Sequence, residues 1–299
     1  MQKGVIKQPN FKEYTNFAIM KYKKIKYIAA KTFVTICFAM FIFSCEERNL
    51  TQKKGIISLV PSLTDFAQLI YPNEIIGVSK WCDAPLVKKS IPIVGDYSGL
   101  DYEKIIELNP SKIILLRGFT SNEQIKKLNE IGVKLQFFED KTIADVLDIS
   151  LKMDYKKGKK IKDSLETEFE KLKVEKTSSK PSYLIFISND PIQVFGNGNY
   201  QTELLDSLGF KNSIEDINNP YPILDNEYFL THLPNIIASS NSKQTKLFLE
   251  RKFSKKAIEK VLFFEIKENI LSRSGPTFLQ VGKIFLNLWK TKNASRNKV

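Results

Sequence analysis

From residue 55 onward, short apolar runs alternate with segments whose apolar residues recur at three- and four-residue spacing. Residues 56–60 read as a strand and 62–70 as a helix with Ser62 as its cap. A second strand covers 75–78, and a long loop over 80–99 follows. Asp101 then caps a helix over 102–108, with a strand at 112–116. Ser121 caps a further helix ending at Ile131, Gly132 takes the position just past it, and 134–138 is another strand. Strands alternating with helices predict parallel βαβ units.

The pattern changes over 148–175, which is strongly charged and helix-favouring. Ile161, Leu165, Phe169 and Leu172 stand four, four and three apart, one apolar stripe on a long amphipathic helix whose main part starts near Gly158. Residues 177–181 break the run. Strands follow at 183–187 and 192–195, helices at 201–208 and 226–232, and a strand near Ile236. A strand and loop occupy 261–273, and Pro276 opens an apolar helix reaching Trp289, a core residue on this reading.

One stretch occurs twice. Tyr97, Leu100, Asp101, Glu103 and Pro110 recur as Tyr221, Leu224, Asp225, Glu227 and Pro234, each 124 residues later. That period is far beyond the roughly 20–50 residues of a solenoid unit and fits two similar lobes. A helix between lobes resists bending, so the cleft is expected to be largely pre-formed.

Composition adds the class. Of 299 residues, 42% are hydrophobic and 26% charged, a globular balance. The net charge of +13 is concentrated at the start: residues 1–44 hold eight lysines and one acid, leaving 38 basic against 32 acidic residues over 45–299. No basic stripe with interleaved aromatics is legible, so nucleic acid is not an expected partner. Lys21, Lys23, Lys24 and Lys26 precede an eleven-residue apolar core at 33–43, the length of a signal segment and short of the roughly 20 residues a membrane span needs. Met20, directly before the lysines, is a plausible true start. Export predicts an oxidising compartment, yet Cys37, Cys45 and Cys82 give no disulfide framework, and Cys82 reads as a small buried hydrophobe. No metal-ligand spacing and no Ser-His-Asp or Cys-His arrangement is legible; His232 is the only histidine.

Several runs carry a resemblance. The sequence Ile42-Phe43-Ser44-Cys45 resembles a bacterial lipobox, which implies that Cys45 becomes a lipidated N-terminus; the alternative is an ordinary cleavable signal with an incidental cysteine. Residues 57–65, 76–79, 94–105 and 108–114 resemble the helical-backbone periplasmic-type binding proteins, the capture proteins of ABC importers for cobalamin, haem and ferric siderophores. The resemblance covers roughly 55–290 and is nearest to the cobalamin-capturing branch. It implies an α/β fold of two Rossmann-like lobes joined by one long backbone helix, with the ligand cleft between them. The organisation is then a signal segment (1–44), a tether (45–54), an N-terminal lobe (55–147), a linking helix (148–176), a C-terminal lobe (177–291) and a polar tail (292–299).

In that family aromatic rings from both lobes hold the ligand, and Trp81, Tyr97 and Tyr221 occupy the matching positions. The run 269–276 matches the family's binding loop, with Arg273 in place and Asn269 where an aspartate is usual; tyrosines at 97 and 221 replace tryptophans. Arg273 reads equally well as a residue that closes its own loop on a carbonyl. The family also docks one glutamate of each lobe onto its permease, and Glu103 and Glu227 match. Each also stands two residues past an Asp cap, where a negative charge favours the helix dipole by about 0.3–1 kcal/mol. The two roles are compatible.

The expectation is an exported, lipid-anchored monomer that enzymatically does nothing and needs no cofactor. It captures a corrinoid, cobalamin first, and hands it to an ABC importer. Haem or a ferric siderophore remains the alternative ligand, Tyr97 or Tyr221 being possible haem ligands. An exported enzyme, or a surface lipoprotein that has lost its ligand, is the alternative of another class.

Overall fold

The computed structural model describes residues 55–82, 90–96 and 98–296. The signal segment, Cys45 and Tyr97 lie outside the described residues. Strands β1 (Ile56–Ser58), β2 (Ile75–Val78), β3 (Lys112–Leu116) and β4 (Leu135–Phe138) form a wholly parallel sheet in the order β2-β1-β3-β4. Ile57 pairs with Ile113, and Ile113 with Leu135. Ile57, Ile113, Ile114 and Leu115 are fully buried, because helices cover a parallel sheet on both faces and leave no polar side to alternate with.

Helix α1 (Pro61–Ile70) starts one residue earlier than expected. Val60 is its N-cap and makes no side-chain cap bond, so Ser62 is not the cap. The reason is Pro61: it lacks an N–H that would go unpaired anyway, and its fixed φ suits the first helical position. Two other caps fall where the sequence puts them. Asp101 accepts from the Lys104 amide at the head of α2 (Tyr102–Leu108). At the head of α3 (Asn122–Glu130), Ser121 accepts from the Gln124 amide while the Gln124 side chain accepts from the Ser121 amide.

Two helices, not one, connect the sheets. α4 (Ile143–Met153) ends at Asp154, which adopts an extended φ of −153° and caps α5 (Tyr155–Val174) by accepting from the Lys157 amide at 2.8 Å. Gly158 does not start the helix. It is buried where α5 crosses α4, and a Cβ there would collide with the Ser150 carbonyl. The Ser150 hydroxyl donates to the Gly158 carbonyl across this contact at 3.0 Å. The expected stripe does face inward: Leu165 and Leu172 are buried, with Ile161 and Phe169 packed against the core.

The second sheet is mixed. It comprises β5 (Ser182–Ser188), β6 (Ile192–Val194), β7 (Lys211–Asn212), β8 (Ile223–Leu224), β9 (Ile236–Ser239) and β10 (Leu262–Glu265). β10, β9, β5 and β7 pair in parallel, whereas β6 pairs antiparallel with both β5 and β8. Around it lie α6 (Tyr200–Ser207), α7 (Asn226–Thr231), α8 (Ser242–Phe253), α9 (Glu268–Leu271) and α10 (Gln280–Arg296). The period-two alternation of a strand divides the core. Tyr183 and Ile185 of β5 join the cluster that continues through α4 and α5 to the first sheet, while Leu184 and Phe186 join a separate one with Phe229 and Ile237. Phe285 of α10 closes the shared core by meeting Tyr183, Phe210 and Phe264 edge-on at 5.3–5.8 Å between ring centres.

Candidate ligand-binding site

A cavity of about 640 Å³ opens at the carboxyl ends of β1, β2, β3 and β4, the edge where open parallel sheets place their ligands. The first sheet supplies the turn into α1 (Val60, Pro61, Ser62), the segment after β2 (Lys80, Trp81), the end of β3 and its loop (Leu116, Phe119), and Asp140 after β4. The opposite wall comes from the segment between β10 and α10, with Glu268, Asn269, Ser272, Arg273 and Ser274. The cavity therefore joins two parts of the chain more than 120 residues apart.

Its aromatic surface is presented, not buried. Trp81 is 46% exposed and Phe119 52% exposed, and both also line a small side pocket with Asp96 and Leu100. The Lys80 ammonium lies 5.9 Å from the Trp81 ring centre. Trp81 sits beyond β2 because the chain is turned there by backbone bonds: the Ser79 amide donates to Ser58 and the Lys80 amide to Gly95.

Two polar contacts tie the opposite walls together. Arg273 places Nη1 3.7 Å from Asp65 Oδ2 on α1, with the two side chains 16% and 20% exposed. The Ser274 hydroxyl donates to Asp140 Oδ2 at 2.7 Å. Burial pushes the Asp140 carboxyl above the usual aspartate value; the Ser274 bond pulls it down, and Glu139 and Asp145 push it up. Arg117, at the end of β3, is engaged with Glu139 at 2.8 Å.

The structure brings Trp81, Asn269 and Arg273 into one cavity. Tyr221 is not in its lining. It lies on the loop before β8, half-exposed, edge-on to Phe195 at 5.7 Å. Burial pushes its hydroxyl up, and the Asp140 charge pushes the same way. Phe119, Asp140, Lys80 and Ser274 were not read from the sequence. The signal for three of them was available: Lys80, Phe119 and Asp140 follow strands β2, β3 and β4 in a parallel sheet, at its ligand-binding edge.

Glu103 and Glu227 are exposed in the first turns of α2 and α7. Asp101 and Asp225 cap these helices alike, accepting from Lys104 and Tyr228 amides at 3.0 and 2.7 Å. The correspondence extends further than the five residues of the repeat. β3 and β9 start 124 residues apart, Ile113 and Ile237 are both fully buried, and Ile106 and Leu230 are both exposed one turn beyond their glutamates. Near α7 the His232 ring stacks on Tyr228 at 3.9 Å, and the Tyr228 hydroxyl donates to Asp216. His232 thus has a local structural role at a helix end.

Comparison with known proteins agrees with this architecture. Residues 56–262 match the periplasmic binding protein family. A vitamin B12-binding protein of Salmonella typhi is 24% identical over 240 residues, covering 78% of this chain and 88% of that protein. Among solved structures, the periplasmic vitamin B12-binding protein of Vibrio cholerae superposes with a TM-score of 0.69 at 22% identity, covering 79% of this chain and 97% of that one. A possible iron-binding, periplasmic solute-binding protein from Staphylococcus epidermidis gives 0.68 at 23% identity, covering 78% and 97%. The fold is thus common to proteins of different ligands. A family match over more than half of the chain, together with two α/β lobes and a cavity between their elements, identifies this chain as a member of the periplasmic binding protein family.

Proposed function

We propose that this protein captures a corrinoid, cobalamin in the first instance, and delivers it to an ABC importer. The observation that carries the reading is the character of the cavity. It presents flat rings at its mouth, Trp81 and Phe119, beside a lining in which Lys80 and Arg273 are matched by Asp140 and Glu268. A corrinoid is a broad macrocycle edged with neutral carboxamides. Its faces bury against aromatic rings, each good contact adding about 0.5–1.5 kcal/mol beyond burial. Its amides find donors and acceptors in Asn269, Arg273 and Ser272. A polyanionic ferric siderophore or the carboxylates of haem call for a surplus of positive charge, and Asp65 already stands against Arg273. The likeness to vitamin B12-binding proteins supports the same choice.

Tyr221 and Tyr97 are proposed as the further rings that complete the enclosure, Tyr221 from the second lobe. The remaining parts of the reading concern delivery. Lipidation at Cys45 anchors the chain at the cell envelope, and residues 45–54 form the tether to the lobes over 55–147 and 177–291. Glu103 and Glu227 dock on the two halves of the permease, one on each lobe. The lobes share a core through α4 and α5, which supports a site formed before the ligand arrives. Isothermal titration of the detergent-purified protein with cyanocobalamin and with haemin tests the ligand. Saturable 1:1 binding of cyanocobalamin is expected; binding of haemin alone overturns the corrinoid reading.

A further inference from the structure

Asp140 has a position that enclosure alone does not explain. It lines the cavity between the two walls, two residues past β4, and no basic side chain forms an ion pair with it among the described residues. Ser274 donates to its Oδ2 at 2.7 Å, and an ionised carboxylate has further lone pairs that can accept on both oxygens. Arg273, the cation of the facing wall, stands against Asp65 on α1.

A carboxylate held in this way discriminates by charge. A ligand group that donates N–H or O–H toward it gains a charge-assisted hydrogen bond. A ligand carboxylate in the same place meets like charge in a partly desolvated cavity. Rejection is as much a part of specificity as attraction, and the ligand edge over Asp140 is therefore a neutral donor.

We propose that Asp140 is a specificity-determining residue that accepts an N–H from a peripheral carboxamide of the ligand and excludes a carboxylate from that position. This rests on the reading of the site as one for an amide-edged macrocycle. It assigns the choice between amide and acid to a single side chain on the first lobe, oriented by Ser274 of the second.

The test uses the full-length protein in detergent at pH 8. Cyanocobalamin is compared with its separated monocarboxylic acids, in each of which one propionamide is hydrolysed, and with the methylamides of those acids. At least one acid should bind about tenfold more weakly than cyanocobalamin, and its neutral methylamide should recover most of the loss. In Asp140→Asn, which keeps the size and an acceptor for Ser274, that acid should gain about tenfold relative to cyanocobalamin. The methylamide comparison needs no variant, so the proposal can fail there even if Asp140→Asn folds poorly. Equal binding of every acid and its methylamide to the wild type overturns the proposal, as does unchanged discrimination in a folded Asp140→Asn. Those results leave cobalamin capture standing. Failure of the wild type to bind any corrinoid sinks the ligand reading and this proposal together.

Discussion

The two halves of the repeat are alike where they face outward and different where they face the cavity. In both, an aspartate caps a short helix, a glutamate stands exposed in its first turn, a buried proline follows, and a central strand begins: α2 with β3, α7 with β9. On the cavity side the likeness ends. The first lobe contributes the ends of four parallel strands and their loops, whereas the second contributes one segment after β10. Its sheet admits antiparallel β6 and β8, and Tyr221 rides on the loop that leads into β8. Duplicated segments that diverge on the ligand side and agree on the outer face fit the two demands of the proposed function: a ligand without symmetry and a partner with matched halves.

The deepest common element is the central strand, and the comparison can be broken there. Ile113 of β3 and Ile237 of β9 are both fully buried. Replacing either by Ala should cost about 2–5 kcal/mol, through lost transfer energy and the cavity left behind. Ile113 belongs to the core that runs between the sheets, Ile237 to the separate outer cluster. Ile113→Ala should therefore lower the melting of the whole molecule in a single transition, whereas Ile237→Ala should open the second lobe first. Calorimetry on the two variants checks this; identical single transitions would show the lobes to be one cooperative unit throughout.

The cavity faces should separate next. Trp81→Ala removes a ring from the first lobe's lining and is expected to weaken cobalamin by about 1–2 kcal/mol, or roughly tenfold. Tyr221→Ala, outside that lining, should cost less, roughly threefold. A larger loss at Tyr221 in titration calorimetry would mean that the second lobe, not the first, holds the ligand. On the outer faces the expectation reverses. Glu103→Ala and Glu227→Ala should leave cobalamin affinity unchanged and each reduce importer-dependent uptake by a similar factor, roughly threefold, because exposed charges act on association. Unequal effects would break the symmetry of the docking faces.

How much of this could be read from the chain follows the same division. Helix α2 was legible to the residue, because Asp101 and the apolar spacing agree. The two-helix connection was not. Asp154 lies in a charged run that is helix-favouring on either side, so its role as a cap gives no contrast in composition, and Gly158 reads as a break when its smallness serves a crossing of two helices. Helix α8 was missed because Leu249 and Thr245 are its only buried residues, too few to make a stripe. β7 and β8, two residues each, have no period to detect. At the site, Trp81, Asn269 and Arg273 were found through resemblance, while Phe119 and Asp140 depend on which strand ends lie side by side, a fact of topology.

The last expected effect lies in the second lobe and concerns pH. Asp206, at the end of α6, accepts from the buried Tyr183 hydroxyl at 3.2 Å, and burial pushes its carboxyl up to about 6. Burial dominates, since the Tyr183 bond acts in the opposite direction. An acid whose value is higher in the folded than in the unfolded chain binds its proton more tightly when folded. Ionised Asp206 is therefore a cost to stability that is complete above pH 6, fades as pH falls through 6 and vanishes below about 4, the unfolded value. Asp206→Asn should remove it, raising stability at pH 7 and leaving it little changed at pH 4, with the difference growing between those limits. Thermal melts at pH 4, 5, 6 and 7 read the slope. The first lobe offers the control: Asp140 is also raised by burial and its bond from Ser274 joins the two walls, so Asp140→Asn should change ligand choice as well as stability, while Asp206→Asn should leave ligand choice untouched. A change in ligand selectivity with Asp206→Asn would show that the pH-sensitive acid of the second lobe is coupled to the cavity through α6 and Tyr200 after all.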